Sequence, residues 1–221
     1  MGVLSSLEST QPLVTTRRHG APPLVGRGSL TFAFDERKAA QAAAWLLRHA
    51  PEQRLKSGHL VRLLYLADRE LLVTRGKPIT GDALVSLPSG PSLQTLASFA
   101  QTGPRRSRLA TEGNEWARYI VWAGRYDVAV DGESPTLTGA LSRSEFATLD
   151  SVQRQFGSTD PWEPAAPESS RRLFPEWKDP RGRARRIDAA ELLRSHDWLE
   201  EDISEIAGLA QTERLMFASR R

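Results

Sequence analysis

The chain has 221 residues, of which 39% are hydrophobic and 26% charged, enough apolar content for a sizeable core and too much for a wholly disordered chain. Lys and Arg number 30 against 27 Asp and Glu, a formal charge of +3 that is too slight to define a dedicated nucleic-acid binder. With no cysteine, disulfides, thiolate metal sites, iron–sulfur clusters and cysteine nucleophiles are excluded, and the four histidines (19, 49, 59 and 196) show no metal-ligand spacing.

Residues 1–33 mix Ser, Thr, Pro, Gly and Arg without helical or strand period and read as a flexible or draped N-terminal arm, leaving 34–221 as one domain. Asp35 is placed to cap a helix over roughly 36–49 with an apolar face of Ala39, Ala43, Leu46 and Leu47, and Pro51 stops it. His49 at its end suits the helix dipole, and His59 reads as a surface or second-turn polar residue. From 58 to 74, Leu60, Leu63, Leu64, Ala67 and Leu71 repeat with helical period, Gly76 sits where a left-handed cap is wanted, and Pro78 prevents continuation. Ile79–Asp82 reads as a turn, Ala83–Leu87 as a short strand, Pro88–Pro91 as a second turn, and Ser92–Ala100 as a helix whose start Gly90-Pro91 sets. A polar loop over 101–115 follows. Trp116–Trp122 is apolar and ambiguous between helix and strand, while Arg125–Val130 and Thr136–Leu141 resemble a hairpin around Asp131-Gly132. Ser142 and Glu145 have capping-box spacing for a helix running to Gly157. Asp188 caps a further helix, and a last one over about 198–217 carries Leu199, Ile203, Ile206 and Ala210 on one side. The sum is a mainly α (α+β) fold, a helical domain with a small inserted antiparallel β-sheet.

No catalytic constellation emerges. Gly26-Arg27-Gly28 lacks the strand before it and the Lys-Ser/Thr end of a phosphate loop, no Gly-x-Ser-x-Gly elbow occurs, and Glu200-Glu201-Asp202 suits a helix start. The expectation is a non-enzyme with no metal and no cofactor. The longest apolar stretches, 39–47 and 60–67, fall well short of the roughly 18 residues that span a bilayer. The N-terminus lacks the basic start and apolar run of a secretory signal, so a cytoplasmic protein without membrane association is expected. Charge is unevenly placed: Arg171, Arg172, Lys178, Arg181, Arg183, Arg185 and Arg186 against Glu176 and Asp179 give 171–186 a local charge of +5, and eight acids follow between 188 and 213. That juxtaposition suggests neutralisation within the fold or a charged protein partner more than direct nucleic-acid contact.

The run Leu60-Val61-Arg62-Leu63-Leu64-Tyr65-Leu66-Ala67-Asp68, then Gly76-Lys77-Pro78-Ile79-Thr80-Gly81-Asp82, then Gly90-Pro91, then Leu141-Ser142-Arg143-Ser144-Glu145, then Pro175-Glu176-Trp177, resembles the Panacea domain, the SocA-like antitoxin family of bacteria and phages. The five segments come in the family's order and cover about 35–210. Two features depart from it: Ser92 stands where the Gly-Pro turn usually continues with Val, and the His often found before Pro-x-Trp is absent from Ser169–Arg172.

The resemblance implies an antitoxin that neutralises a cognate toxin, encoded by a neighbouring gene, through direct protein–protein binding. A proteolytic adaptor that delivers the toxin to a protease is the alternative, and a mobile-element protein contacting nucleic acid through Arg clusters is a third reading. Partners of such domains are diverse, so the shared residues (Leu63, Leu64, Tyr65, Asp68, Gly76, Pro78, Thr80, Gly81, Asp82, Gly90, Pro91, Ser142, Glu145, Pro175 and Trp177) are expected to specify the fold. Tyr65 would bury its ring and satisfy its hydroxyl, and Asp68 would accept from the Thr80–Asp82 turn or pair with Arg62, Arg69 or Arg75. The toxin contact is expected instead at Arg105, Arg106 and Arg108, at Arg171, Arg172, Arg183, Arg185 and Arg186, or on the N-terminal arm.

Overall fold

The computed structural model describes residues 30–102, 115–137, 139–162 and 170–219. Helix α1 (Glu36–Arg48) starts where the Asp35 carboxylate accepts from the Lys38 amide at 3.0 Å. Its inner face is alanine-rich, with Ala39, Ala40, Ala42, Ala43 and Ala44 wholly buried, and small side chains there let the helix lie close against its neighbours. His49 ends it, its Nδ1 2.8 Å from the Trp45 carbonyl and its ring stacked on Trp45.

A strand β1 (Arg54–Lys56) leads into α2 (Ser57–Arg75), the helix on which the others pack: α1, α3 (Gln94–Thr102) and α4 (Arg143–Phe156) all lie against it. The expected stripe of Leu60, Leu63, Leu64, Ala67 and Leu71 is buried, but so are Val61, Tyr65, Asp68 and Leu72, so α2 is covered on most sides. His59, expected at the surface, is buried there with its Nε2 2.9 Å from the Phe156 carbonyl, because α4 crosses its position. Gly76 ends the helix at φ +72°, the left-handed cap that the sequence called for.

Two three-stranded antiparallel sheets flank this helix. One has the order β3-β2-β6, with β2 (Leu84–Leu87), β3 (Gly90–Leu93) and β6 (Arg185–Arg186). Val85 faces Ser92 on one side and Arg186 on the other. Gly90, Pro91 and Ser92 therefore belong to a strand and not to a helix start; α3 begins at Gln94. Pro91 is tolerated because β3 is an edge strand, where a missing N–H need not break a ladder on both sides.

The other sheet has the order β1-β5-β4, with β4 (Ile120–Trp122) and β5 (Asp127–Val130). The hairpin thus pairs 120–122 with 127–130, and the expected partner strand Thr136–Leu141 does not form among its described residues. The Gly124 turn is the shorter closure, sealed by the Ala123 amide donating to the Asp127 carbonyl at 2.9 Å. Asp131-Gly132 instead turns the chain away, and Ser134 and Pro135 are held by the Arg48 guanidinium.

Helix α4 carries the full capping box: the Glu145 amide donates to Ser142 Oγ and the Ser142 amide to Glu145 Oε2. Helix α5 (Ala189–Arg194) is capped by the Asp188 side chain. Helix α6 (Glu200–Ala218) buries Ile203 and Ala210, with Ile206 half-buried beside them, whereas Leu199 lies outside its inner face and is 66% exposed. Leu199 is the residue before the helix, in extended backbone, so the helical period that places Ile203 inward does not carry back to it. The main hydrophobic cluster draws on residues from Leu30 to Ala210.

Leu64 has no exposed surface and sits in the middle of α2. Leu64→Ala is expected to cost about 2–5 kcal/mol through lost burial and an unfilled cavity, read as a lower urea midpoint at unchanged slope.

Candidate functional site

The residues singled out by the sequence gather on two polar clasps around α2. In the first, Asp68 is fully buried and accepts from the Ile79 and Thr80 amides, each at 2.9 Å, and from the Thr80 hydroxyl. Of the partners considered for Asp68, the turn is the one realised; Arg69 and Arg62 go elsewhere. Burial pushes the Asp68 carboxyl up to about 7, with the Thr80 and Ile79 hydrogen bonds pulling the other way and nearby Asp82 adding to the rise. Thr80 is also wholly buried and passes the order along: its Oγ1 accepts from the Asp82 amide.

Asp82 then does for α3 what a local cap would do. Its carboxylate accepts from the Thr95 and Leu96 amides and from the Thr95 hydroxyl at 2.8–3.1 Å, satisfying donors at the helix N-terminus from a loop twelve residues upstream of Gln94. Burial raises the Asp82 pKa, and these same hydrogen bonds oppose the rise. Between them, Gly81 adopts φ +68° with its Cα against the Ala33 backbone carbonyl, where any Cβ would collide.

The second clasp joins α2 to the 170s. Tyr65 Oη donates to Glu176 Oε1 at 2.6 Å, and Arg69 Nε donates to the same oxygen at 2.7 Å. Burial, then the Glu176 charge, holds the Tyr65 pKa well above its usual value, so the phenol remains a donor. Beside it Trp177 is buried, donates from Nε1 to the Leu87 carbonyl at 2.9 Å, and packs on Trp162. Gly90, at φ +110°, lies against Arg62 and the Trp162 ring with no room for a Cβ. Arg62 donates to the Ser89 carbonyl and pairs with Asp160. Leu63 and Leu64 fill the core, Pro78 and Pro91 are buried, and Pro175 is exposed. Glu145 is also reached by Lys38 Nζ at 2.6 Å; burial alone would raise its pKa, but the Lys38 and Ser142 hydrogen bonds leave it below the ordinary carboxylate range.

Glu176, Asp160 and Lys38 were not among the residues singled out. Glu176 had a signal, as the variable residue inside Pro175-Glu176-Trp177. The Arg62–Asp160 and Lys38–Glu145 pairs span about a hundred residues, and no local pattern announces such partners.

Of the residues expected to meet a partner, Arg171 alone among the described ones touches a clasp. Arg172, Arg183, Arg185 and Arg186 are exposed, the last two on β6, whereas Arg171 is half-buried with its guanidinium over the Trp177 ring at 5.2 Å. Arg105, Arg106 and Arg108 lie outside the described residues, as does all of the N-terminal arm before Leu30. Of the acids after 188, Glu213 pairs with Lys77 and Glu200 with Arg194. Among the described residues no group of three His, Asp or Glu could hold a metal ion, and no helix is long and apolar enough to cross a membrane.

A central helix, a motif turn tied to it by a buried carboxyl, and two small antiparallel sheets define an α+β domain. Among known families, residues 60–165 match the one described as Antitoxin SocA-like, Panacea domain. The match is shorter than the 35–210 read from the motifs and leaves Pro175 and Trp177 beyond its end. No curated protein and no solved structure matches the chain.

Two outcomes test this geometry. A carboxyl with a folded-state pKa above its unfolded value binds its proton more tightly when folded. Its stabilising contribution is therefore complete below the unfolded value of 3.8 and is lost as pH rises through about 7. The urea midpoint should fall between about pH 4 and 7 and level off above that, and Asp68→Asn should flatten that fall. Gly81→Ala should destabilise by more than the ~1–2 kcal/mol of a left-handed residue alone, while Gly132→Ala, with open space around it, should stay near neutral by thermal melting.

Proposed function

We propose that this chain is an antitoxin that neutralises a cognate toxin, encoded beside it, by direct protein–protein binding inside the cell. The observation that carries the reading is the antitoxin-family match over residues 60–165. The disposition of the motif supports it. Asp68, Thr80, Gly81, Asp82, Gly90 and Trp177 spend their polar and steric capacity on holding the fold, which leaves the surface to vary with the partner. A binding role needs no catalytic group and no cofactor.

The exposed arginines of 172 and 183–186 are the basic contact we assign to an acidic surface of the toxin. Arg185 and Arg186 form β6, the edge of the β3-β2-β6 sheet, Arg183 stands just before it, and all of these and Arg172 are exposed. Co-expression with the adjacent gene tests the function. That gene alone should arrest growth, and this chain should restore it and co-purify with the product. A harmless neighbour, or one that stays toxic despite stable expression of this chain, defeats the reading. If the toxin is removed by degradation instead of occlusion, its half-life will drop when this chain is present. Arg183→Glu with Arg185→Glu should weaken the complex and its salt dependence while leaving the melting temperature unchanged; unchanged affinity rejects that placement.

A further inference from the structure

We infer that the outer face of α6 is a docking surface for an amphipathic helix of the toxin, basic at one end and apolar at the other; this rests on the antitoxin reading above. The inner face of α6 is firmly seated. Ile203 and Ala210 are buried, Trp198 just before the helix donates to the Val73 carbonyl at 2.7 Å, and Arg214 donates to Thr31 Oγ1 at 2.6 Å. The helix is therefore held in one rotation, and what it turns outward follows from the period.

That outer face is a single ridge. Glu201, Glu205, Leu209, Thr212 and Met216 follow one another at steps of four, four, three and four, a line of about 22 Å at 1.5 Å per residue. All five are exposed, and Leu209 and Met216 are 61% and 58% accessible. Leu215 lies beside them at 67%. A surface helix ordinarily carries polar side chains there, so large apolar ones grouped at its C-terminal half mark a contact surface. At that end Met216 and Phe217 border a recess whose walls mix Phe32, Pro78 and Ile79 with the Lys77–Glu213 ion pair, Asp35 and Lys38.

The charge pattern selects the occupant. Among the described residues no ion pair engages Glu201 or Glu205, so the first half of the ridge is acidic and the second apolar. A second copy in full overlap fits badly: antiparallel, Glu201 would meet Met216 and Glu205 would meet Thr212, and parallel, its acids would meet acids. A helix of about four turns with Lys or Arg opposite Glu201 and Glu205, and apolar residues opposite Leu209 and Met216, fits along its whole length. The ridge also lies outside residues 60–165, where a surface fitted to a particular partner is expected.

The test uses the full chain and the product of the neighbouring gene. Leu209→Gln with Met216→Gln should weaken binding at least about tenfold, mostly through faster dissociation, and reduce protection from the toxin. Glu201→Gln with Glu205→Gln should slow association and lower its salt sensitivity. A photocrosslinking residue at Leu209 in an otherwise native chain should capture the toxin. Unchanged affinity of both double variants, with wild type still binding and protecting, overturns the placement alone. So does a failure of the Leu209 probe to crosslink, or a wild-type dimer that Leu209→Gln with Met216→Gln converts to monomer. A wild-type chain that neither binds nor protects overturns the antitoxin reading as well.

Discussion

A carboxyl buried in the middle of a protein is costly unless its hydrogen-bonding capacity is met, and Asp68 meets it with the amides and hydroxyl of one turn. Everything around the motif turn depends on that exchange. Once Ile79 and Thr80 are drawn onto α2, Thr80 holds Asp82, Asp82 covers the N-terminus of α3, and Gly81 lies flush against the backbone at Ala33. The Lys77-Pro78-Ile79 segment is thereby fixed under the end of α6. A chain of short polar contacts, each satisfying the next, sets the positions of three helices relative to one another.

The second clasp applies the same principle with a cation. Glu176 is shared by Tyr65 and Arg69, which converts an irregular segment after residue 170 into a fixed wall of the core and brings Trp177 onto β2. Charge-assisted bonds in a buried setting are short and geometrically specific, and they fix the place of this segment against α2. Its neighbours at 181–186, by contrast, project arginines into solvent from a two-residue edge strand. Most motif residues turn inward, whereas the arginines of β6 and the ridge of Glu201, Glu205, Leu209 and Met216 on α6 turn outward.

Much of the fold was legible because helix termini are written in adjacent residues. Asp35, the Ser142–Glu145 box, Asp188 and the Gly76 cap all act over three or four positions, and each stands where the pattern placed it. The inward role of Tyr65 and Asp68 was likewise readable from their place in an apolar helix. The hairpin was not. Trp116–Trp122 and Thr136–Leu141 offered comparable strand content around Arg125–Val130, and the choice between them turned on which closure was shorter and on α1 holding Ser134 and Pro135. Gly90-Pro91 misled for a related reason: the helix it was thought to start is capped by Asp82, a residue from another loop.

The sequence by itself determined the helices, most of their ends, the inward motif and the family resemblance, because those follow from periodicity and from contacts a few residues apart; the start of α3, capped from another loop, is the exception. Tertiary structure alone decided which strands pair, which carboxylate each buried arginine meets, and which face of α6 is left outward. Arg62–Asp160, Arg69–Glu176 and Lys38–Glu145 each close loops of about a hundred residues. Such partners are chosen by packing around α2, and no local rule of spacing reaches that far.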